Sequence, residues 1–115
     1  MKLNLYVLVD DMSRAVGFYR RLFRSEPVMQ TPAYSIFSLE GSLYGLMSAH
    51  SYPQPVSRGN NVTPNLLVED IEAAHAHARS VGAPFVMEAI VQNGPYRLFV
   101  CIDSEGNALE FYSQP

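Results

Sequence analysis

Few side chains in this sequence can carry acid–base, nucleophilic or metal-binding chemistry, and their spacing sorts them. The histidines are His50, His75 and His77. His75 and His77 lie two apart in a helical pattern, so they point to different sides and cannot share a metal ion. Both read as solvated or edge-packed helix residues. His50 ends an apolar run and reads as a surface residue. The single cysteine, Cys101, has neither a helix N-terminus nor a basic sequence neighbour to lower its pKa, and reads as a packed, inert thiol. The sequence has no Gly-rich phosphate loop, no Gly-x-Ser-x-Gly elbow and no cysteine pair that would suggest zinc. What is left is a carboxylate. "GNALEFYSQP" (106–115) carries Glu110 at its fifth place, whereas the similar "GSLYGLMSAH" (41–50) carries Gly45 there. A buried carboxylate can bind a cation, ligate a metal or act as a general base. The other copy of the pattern offers no side chain at all.

These residues sit in a duplicated framework. "LVDDMSRAVGFY" (8–19) lies over "LVEDIEAAHAHA" (67–78) at an offset of 59, and "GSLYGLMS" over "GNALEFYS" at an offset of 65. In the first pair, Asp11 and Asp70 stand where a helix N-cap belongs, since a short carboxylate there accepts from otherwise orphaned N–H groups. The halves run over residues 1–50 and 62–115, joined by a linker, "SYPQPVSRGNN" (51–61), rich in turn-forming residues.

Each half reads as a strand, a helix and three strands. The first has a strand at 3–9 and a helix at 12–23. Met12, Ala15, Val16, Tyr19, Leu22 and Phe23 make that helix's apolar face. Strands follow at 26–30, 33–39 and 43–49, with a tight turn at Glu40-Gly41. The second half has a strand at 62–68 and a helix at 71–81 stopped by Gly82 and Pro84. Its later strands lie at 85–92, 95–102 and 107–113, the last two joined through "DSEG" (103–106).

Composition narrows the class. A chain of 115 residues is one domain with room for a real core, and 48% hydrophobic with 17% charged residues is globular. A net charge of −3 gives no electrostatic reason to expect nucleic acid. No apolar run approaches the ~18 residues of a membrane span. The first residues do not read as a signal peptide, and one cysteine rules out an internal disulfide, so a cytoplasmic location is the default expectation.

Nearly the whole chain resembles the vicinal oxygen chelate superfamily. That superfamily contains glyoxalase I, extradiol dioxygenases, fosfomycin-modifying enzymes and bleomycin-binding resistance proteins. The resemblance rests on "VDDMSRAVGFYRRLF", on "VEDIEAAHAHARSVGAPFV" and on "DSEGNALEFY". The last is similar to the family's Asp-Pro-Asp-Gly-Asn…Glu ending, with Ser104 and Glu105 replacing Pro and Asp. The resemblance implies an α+β fold: two βαβββ modules whose curved mixed sheet encloses a cleft, with two chains pairing as a homodimer. Because the superfamily hosts several chemistries as well as pure binders, it specifies fold more than activity.

The family's metal enzymes place ligands on the first and last strands of each module. The matching positions here are Asn4, Gly45, Thr63 and Glu110. Only Glu110 is a good ligand; Gly45 has no side chain, and Asn4 and Thr63 are weak. A catalytic divalent metal takes about three protein ligands and an open position, so the expectation is no metal and no cofactor.

Alternation along the strands then gives the cleft wall. Around Glu40-Gly41, Ser38 should oppose Leu43, Ile36 oppose Gly45, and Tyr34 oppose Met47. Around "DSEG", Cys101 should oppose Ala108, Phe99 oppose Glu110, and Arg97 oppose Tyr112. Leu3, Leu5, Val7 and Val9 should face a helix. The expected ligand-binding residues are Asn4, Tyr6, Tyr34, Ile36, Met47, Asn65, Arg97, Phe99, Glu110 and Tyr112, with Glu110 and Arg97 close enough to pair. Such a wall describes a small-molecule pocket. Three functions fit it. One is a metal-free binder of an aromatic or cationic organic molecule, like the bleomycin-resistance branch, with Glu110 and tyrosines receiving the ligand. The second is a metal-dependent or Glu110-dependent lyase or isomerase of the glyoxalase I type, with Glu110 as its catalytic base and any metal held unconventionally. The third is a structural or regulatory dimer whose cleft is closed.

Overall fold

The computed structural model describes residues 1–56, 62–86 and 88–115. Linker residues 57–61, and residue 87 of the expected strand at 85–92, lie outside them. The chain divides into two compact units, Met1–Ser57 and Arg58–Pro115. Each carries a four-stranded mixed sheet and a helix, so the fold class is α+β as expected.

In unit 1, β1 (Leu5–Val9) leads into α1 (Met12–Phe23), then β2 (Met29–Gln30), β3 (Tyr34–Leu39) and β4 (Ser42–Ser48), followed by a short 3-10 turn over Ala49–Ser51. The sheet order is β1-β4-β3-β2, with β1 parallel to β4 and the other pairs antiparallel. The Asp11 carboxylate caps α1 by accepting from the Arg14 N–H at 3.0 Å. The helix lays Ala15, Val16, Phe18, Tyr19 and Leu22 against the sheet face that carries Val9, Phe37, Tyr44 and Leu46. Its centre is aromatic: Tyr19 contacts the rings of Phe18, Phe23, Phe37 and Tyr44 at centroid distances of 5.0 to 6.3 Å. The buried Tyr19 and Tyr44 hydroxyls bond each other at 2.9 Å, so neither polar tip is stranded in this core. Leu3, expected to face the helix, is instead exposed and precedes β1.

In unit 2, β5 (Asn65–Leu67) leads into α2 (Ile71–Ser80), then β6 (Val91–Asn93), β7 (Tyr96–Ile102) and β8 (Ala108–Ser113), in sheet order β5-β8-β7-β6. Asp70 caps α2 through the Ala73 N–H at 3.0 Å, and left-handed Gly82 (φ 83°) follows its end. Phe99, Cys101, Leu109 and Phe111 face α2 and are buried with its Ile71 and Ala78.

The expected strands at 26–30 and 85–92 are shorter in the structure. After each helix, an exposed carboxylate lies against an arginine of that helix. Glu26 pairs with Arg20 at 2.7 Å, Pro27 has no N–H to give a ladder, and contact with β3 begins where the Val28 N–H donates to the Ile36 carbonyl at 2.8 Å, with Met29–Gln30 as the regular strand. Glu88 pairs with Arg79 at 2.9 Å, and its carbonyl lies 2.9 Å from His75 Nε2. Phe85 bridges Cys101 before this contact, and regular pairing resumes at Val91. The expected strand at 62–68 also shortens, to 65–67, because Pro64 has no N–H to give the ladder.

Candidate functional site

Each sheet has one face covered by its helix and one face free of it, and the free faces carry most of the candidate residues. In unit 1 the hairpin register is the expected one. Ser38 pairs with Leu43, Ile36 with Gly45 and Tyr34 with Met47, across a two-residue turn in which Glu40 (φ 42°) and Gly41 (φ 93°) are both left-handed. On the parallel side Tyr6 pairs with Gly45 and Leu8 with Met47. Directly paired residues share a face, so Tyr6, Tyr34, Ile36 and Met47 stand together. Asn4 joins them at the strand end, where its Oδ1 accepts from the Leu43 N–H at 3.0 Å. Tyr6, 45% exposed, meets Tyr34 edge to face at 6.3 Å.

Gly45 is where these side chains crowd. A Cβ there would lie 2.5 Å from the Tyr34 hydroxyl oxygen and 3.0 Å from both Tyr34 Cζ and Tyr6 Cβ. The space a side chain at 45 would need is therefore filled by the Tyr34 ring. The Tyr34 backbone is fixed by the preceding turn, with its N–H donating to Thr31 Oγ1 at 2.9 Å and its carbonyl accepting from that hydroxyl at 2.7 Å.

In unit 2 the register differs from expectation by one residue. Ile102 pairs with Ala108, Cys101 with Leu109, Val100 with Glu110, Phe99 with Phe111, Leu98 with Tyr112 and Arg97 with Ser113. The cause is the loop. Asp103 lies opposite Asn107, with its N–H donating to the Asn107 carbonyl at 2.8 Å, and Gly106 takes the extra left-handed position (φ 88°). The Asp103 carboxylate accepts from the Glu105 and Asn107 N–H groups at 2.8 Å and from Asn107 Nδ2 at 3.0 Å. Three residues thus form the loop, in the manner of a turn closed by a left-handed bulge. A one-residue slip moves a whole strand's side chains to the other face.

Two expected site residues change sides as a result. Phe99 belongs to the core, stacked on Phe111 at 5.1 Å and meeting His75 edge-on at 5.0 Å. Arg97 points to the α2 side and pairs with Glu72 at 2.7 Å, not with Glu110. Asn65, Glu110 and Tyr112 keep the expected face, joined by Leu98 and Val100. The Asn65 carboxamide donates to Glu110 Oε1 from the neighbouring strand. Sequence reasoning missed Tyr96, which shares the strand alternation of Leu98 and Val100, is 43% exposed and meets Tyr112 edge to face at 6.0 Å. The left-handed glycine after "DSE" was the signal that could have found it.

His75 and Cys101 are spent on structure. His75 stacks on Phe85 at 4.6 Å, and Arg79 lies 5.2 Å above the same ring. His50 is exposed in the 3-10 turn. Burial, reinforced by the Asp103 charge, pushes the Cys101 thiol up to about 12, which leaves it protonated and inert.

The residues at the four superfamily metal positions do not fit a metal. The place beside Gly45 is taken by Tyr34, and the Asn4 carboxamide oxygen already accepts a backbone N–H. Thr63 is a weak donor, and Glu110 is the one carboxylate among the four. Among the described residues, no group of three or more His, Cys, Asp or Glu side chains could hold a metal ion.

Two helix-backed four-stranded sheets, each with a parallel outer pair, define the glyoxalase/bleomycin-resistance-like fold. No family model and no curated relative matches the sequence, so the likeness is structural. A glyoxalase/bleomycin resistance protein from Albidiferax ferrireducens T118 superposes with a TM-score of 0.80 at 19% identity, over 97% of both chains. One from Catenulispora acidiphila DSM 44928 gives 0.76 at 25% identity, over 100% of this chain and 99% of that one. A lactoylglutathione lyase from Agrobacterium tumefaciens gives 0.75 at 17%, over 98% and 92%. These neighbours are consistent with the vicinal oxygen chelate superfamily. Among the described residues, no helix is long and apolar enough to cross a membrane.

Proposed function

We propose that this protein is a metal-free small-molecule binding protein of the glyoxalase/bleomycin-resistance type, acting in the cytoplasm. It holds an aromatic or cationic organic ligand on a helix-free sheet face. One observation carries the reading: among the described residues the helix-free faces keep tyrosines and a single carboxylate, while the superfamily's metal positions lack a donor set. Glu110, oriented by Asn65 and next but one to Tyr112, offers charge pairing beside an aromatic ring, a combination that suits a flat cation. The resemblance further implies that two chains pair, which sedimentation analysis would read directly.

The test pairs metal analysis of protein purified without chelator with thermal-shift measurements using N-methylacridinium, a planar aromatic cation. At 100 times its dissociation constant, a ligand specific for the folded state adds ~2.7 kcal/mol, a rise of roughly 10 °C for a chain of this size. The expected result is sub-stoichiometric metal, a clear shift with the dye, and roughly tenfold weaker dye binding in Glu110→Gln. Near-stoichiometric metal, together with stabilisation by divalent ions, would overturn the reading. The lyase reading, with Glu110 as base, would then lead.

A further inference from the structure

The Tyr34 hydroxyl lies over Gly45 in a place where the superfamily's metal enzymes carry a ligand side chain. We infer that Tyr34 is a specificity-determining residue of the site: its ring closes the space over Gly45, and its hydroxyl donates a hydrogen bond to an acceptor oxygen on the bound molecule. The inference rests on the binding reading above.

Three observations support it. First, the fit is close and one-sided. A Cβ at residue 45 would come within 2.5 Å of the Tyr34 hydroxyl oxygen, so only glycine permits this seat. Interior strand glycines weaken a sheet and mark places where another group approaches closely. Second, Tyr34 is held from behind. Thr31 fixes its backbone from both sides, and Tyr6 meets its ring edge to face, so the hydroxyl is delivered to a defined point. Third, among the described residues that hydroxyl is paired with no protein group and is not a buried unsatisfied atom, so it opens to solvent with its O–H available. The contrast with Tyr19 and Tyr44 is informative, because those hydroxyls satisfy each other at 2.9 Å. An O–H that faces solvent can exchange its water for a partner on a ligand. A carbonyl or ether oxygen on a planar ligand would supply one. A donor at this point takes an acceptor, as a metal would, but without needing further ligands around it.

Two planar tricyclic probes separate this role from general binding. N-methylacridone carries a carbonyl acceptor and no charge; N-methylacridinium carries charge and no acceptor. Dissociation constants are measured by fluorescence for the wild type, Tyr34→Phe and Tyr34→Ala. Phenylalanine keeps the ring and deletes the donor. Tyr34→Phe is expected to weaken acridone binding roughly two- to tenfold, the range of one net hydrogen bond, and to leave acridinium within about twofold. Tyr34→Ala should lose the same discrimination and gain affinity for bulkier acridones by opening the space over Gly45. The seat itself is read without ligand. The α-protons of Gly45 should carry a ring-current shift that disappears in Tyr34→Leu. If the wild type binds both probes and Tyr34→Phe changes neither or both equally, the role given to Tyr34 is wrong while the binding reading stands. If the wild type binds neither probe, both fall. An unshifted Gly45 in the wild type would also overturn the inference.

Discussion

The two units run the same strand–helix–three-strand order, yet their last hairpins turn differently. In unit 1, β3 and β4 meet across Glu40-Gly41, with Leu39 opposite Ser42. In unit 2, β7 and β8 meet across Ser104-Glu105-Gly106, with Ile102 opposite Ala108. One extra loop residue rephases β7 against β8. Gly45 pairs with Ile36 and has Tyr34 over it, while Glu110 pairs with Val100 and its carboxylate accepts from the Asn65 carboxamide. Divergence between the duplicated halves thus comes from loop chemistry as much as from the residue at the shared position. A glycine with a neighbouring tyrosine makes one face aromatic, and an asparagine–glutamate pair makes the other polar.

The sharpest way to break this comparison is to test the rephased strand. Phe99→Ala should cost about 3–5 kcal/mol, because a fully buried ring stacked on Phe111 would leave a cavity beside α2. Leu98→Ala, on the other face and half-buried, should cost far less, roughly 1 kcal/mol. Urea denaturation with both variants reads the difference. Equal losses, or a reversal of the order, would mean that β7 is in the register expected from a four-residue turn.

Next in size is the loop that causes the rephasing. Asp103 is 3% exposed and accepts from three N–H groups, two of them backbone. Removing the acceptor strands those donors, so Asp103→Ala should cost about 2–3 kcal/mol. Asp103→Asn keeps an acceptor oxygen and should cost clearly less. The Glu40-Gly41 turn, closed by backbone geometry, has no such carboxylate to lose. If Asp103→Ala were as mild as a surface substitution, the Asp103 network would not be what sets the loop length.

These contrasts also explain how far the sequence could be read. The helices at residues 12–23 and 71–80 were legible from apolar spacing and N-cap aspartates, because both signals are local. The unit 1 face was legible because a two-residue turn leaves one register. The unit 2 register was not, because "DSEG" fits a four-residue turn as well as a bulged loop, and the choice is made by Asp103 reaching across to Asn107. That single ambiguity moved Arg97 and Phe99 off the Glu110 face and hid Tyr96. The short β2 and β6 were not legible, because nothing local in the sequence marks where pairing with the next strand becomes regular. Gly45 was legible as missing a ligand side chain, though not as the seat of Tyr34.

The smallest effect separates the two turns most directly. Glu40 is a non-glycine residue held at φ 42°, followed by Gly41 at φ 93°. Two successive left-handed residues favour Asn-Gly, because asparagine tolerates that conformation and glutamate, with a longer side chain, gains nothing from it. Glu40→Asn should therefore stabilise the protein by about 0.5–1 kcal/mol, read as a rise of roughly 2–4 °C in Tm. The same change at Glu105 should gain nothing. In that loop only Gly106 is left-handed, and the buried Glu105 carboxylate accepts from the Ser104 hydroxyl at 2.8 Å, a bond that a shorter carboxamide would give up. Matching gains at both sites would mean that the two hairpins share one turn type, and the rephasing that gives the two sheets different faces would then need another cause.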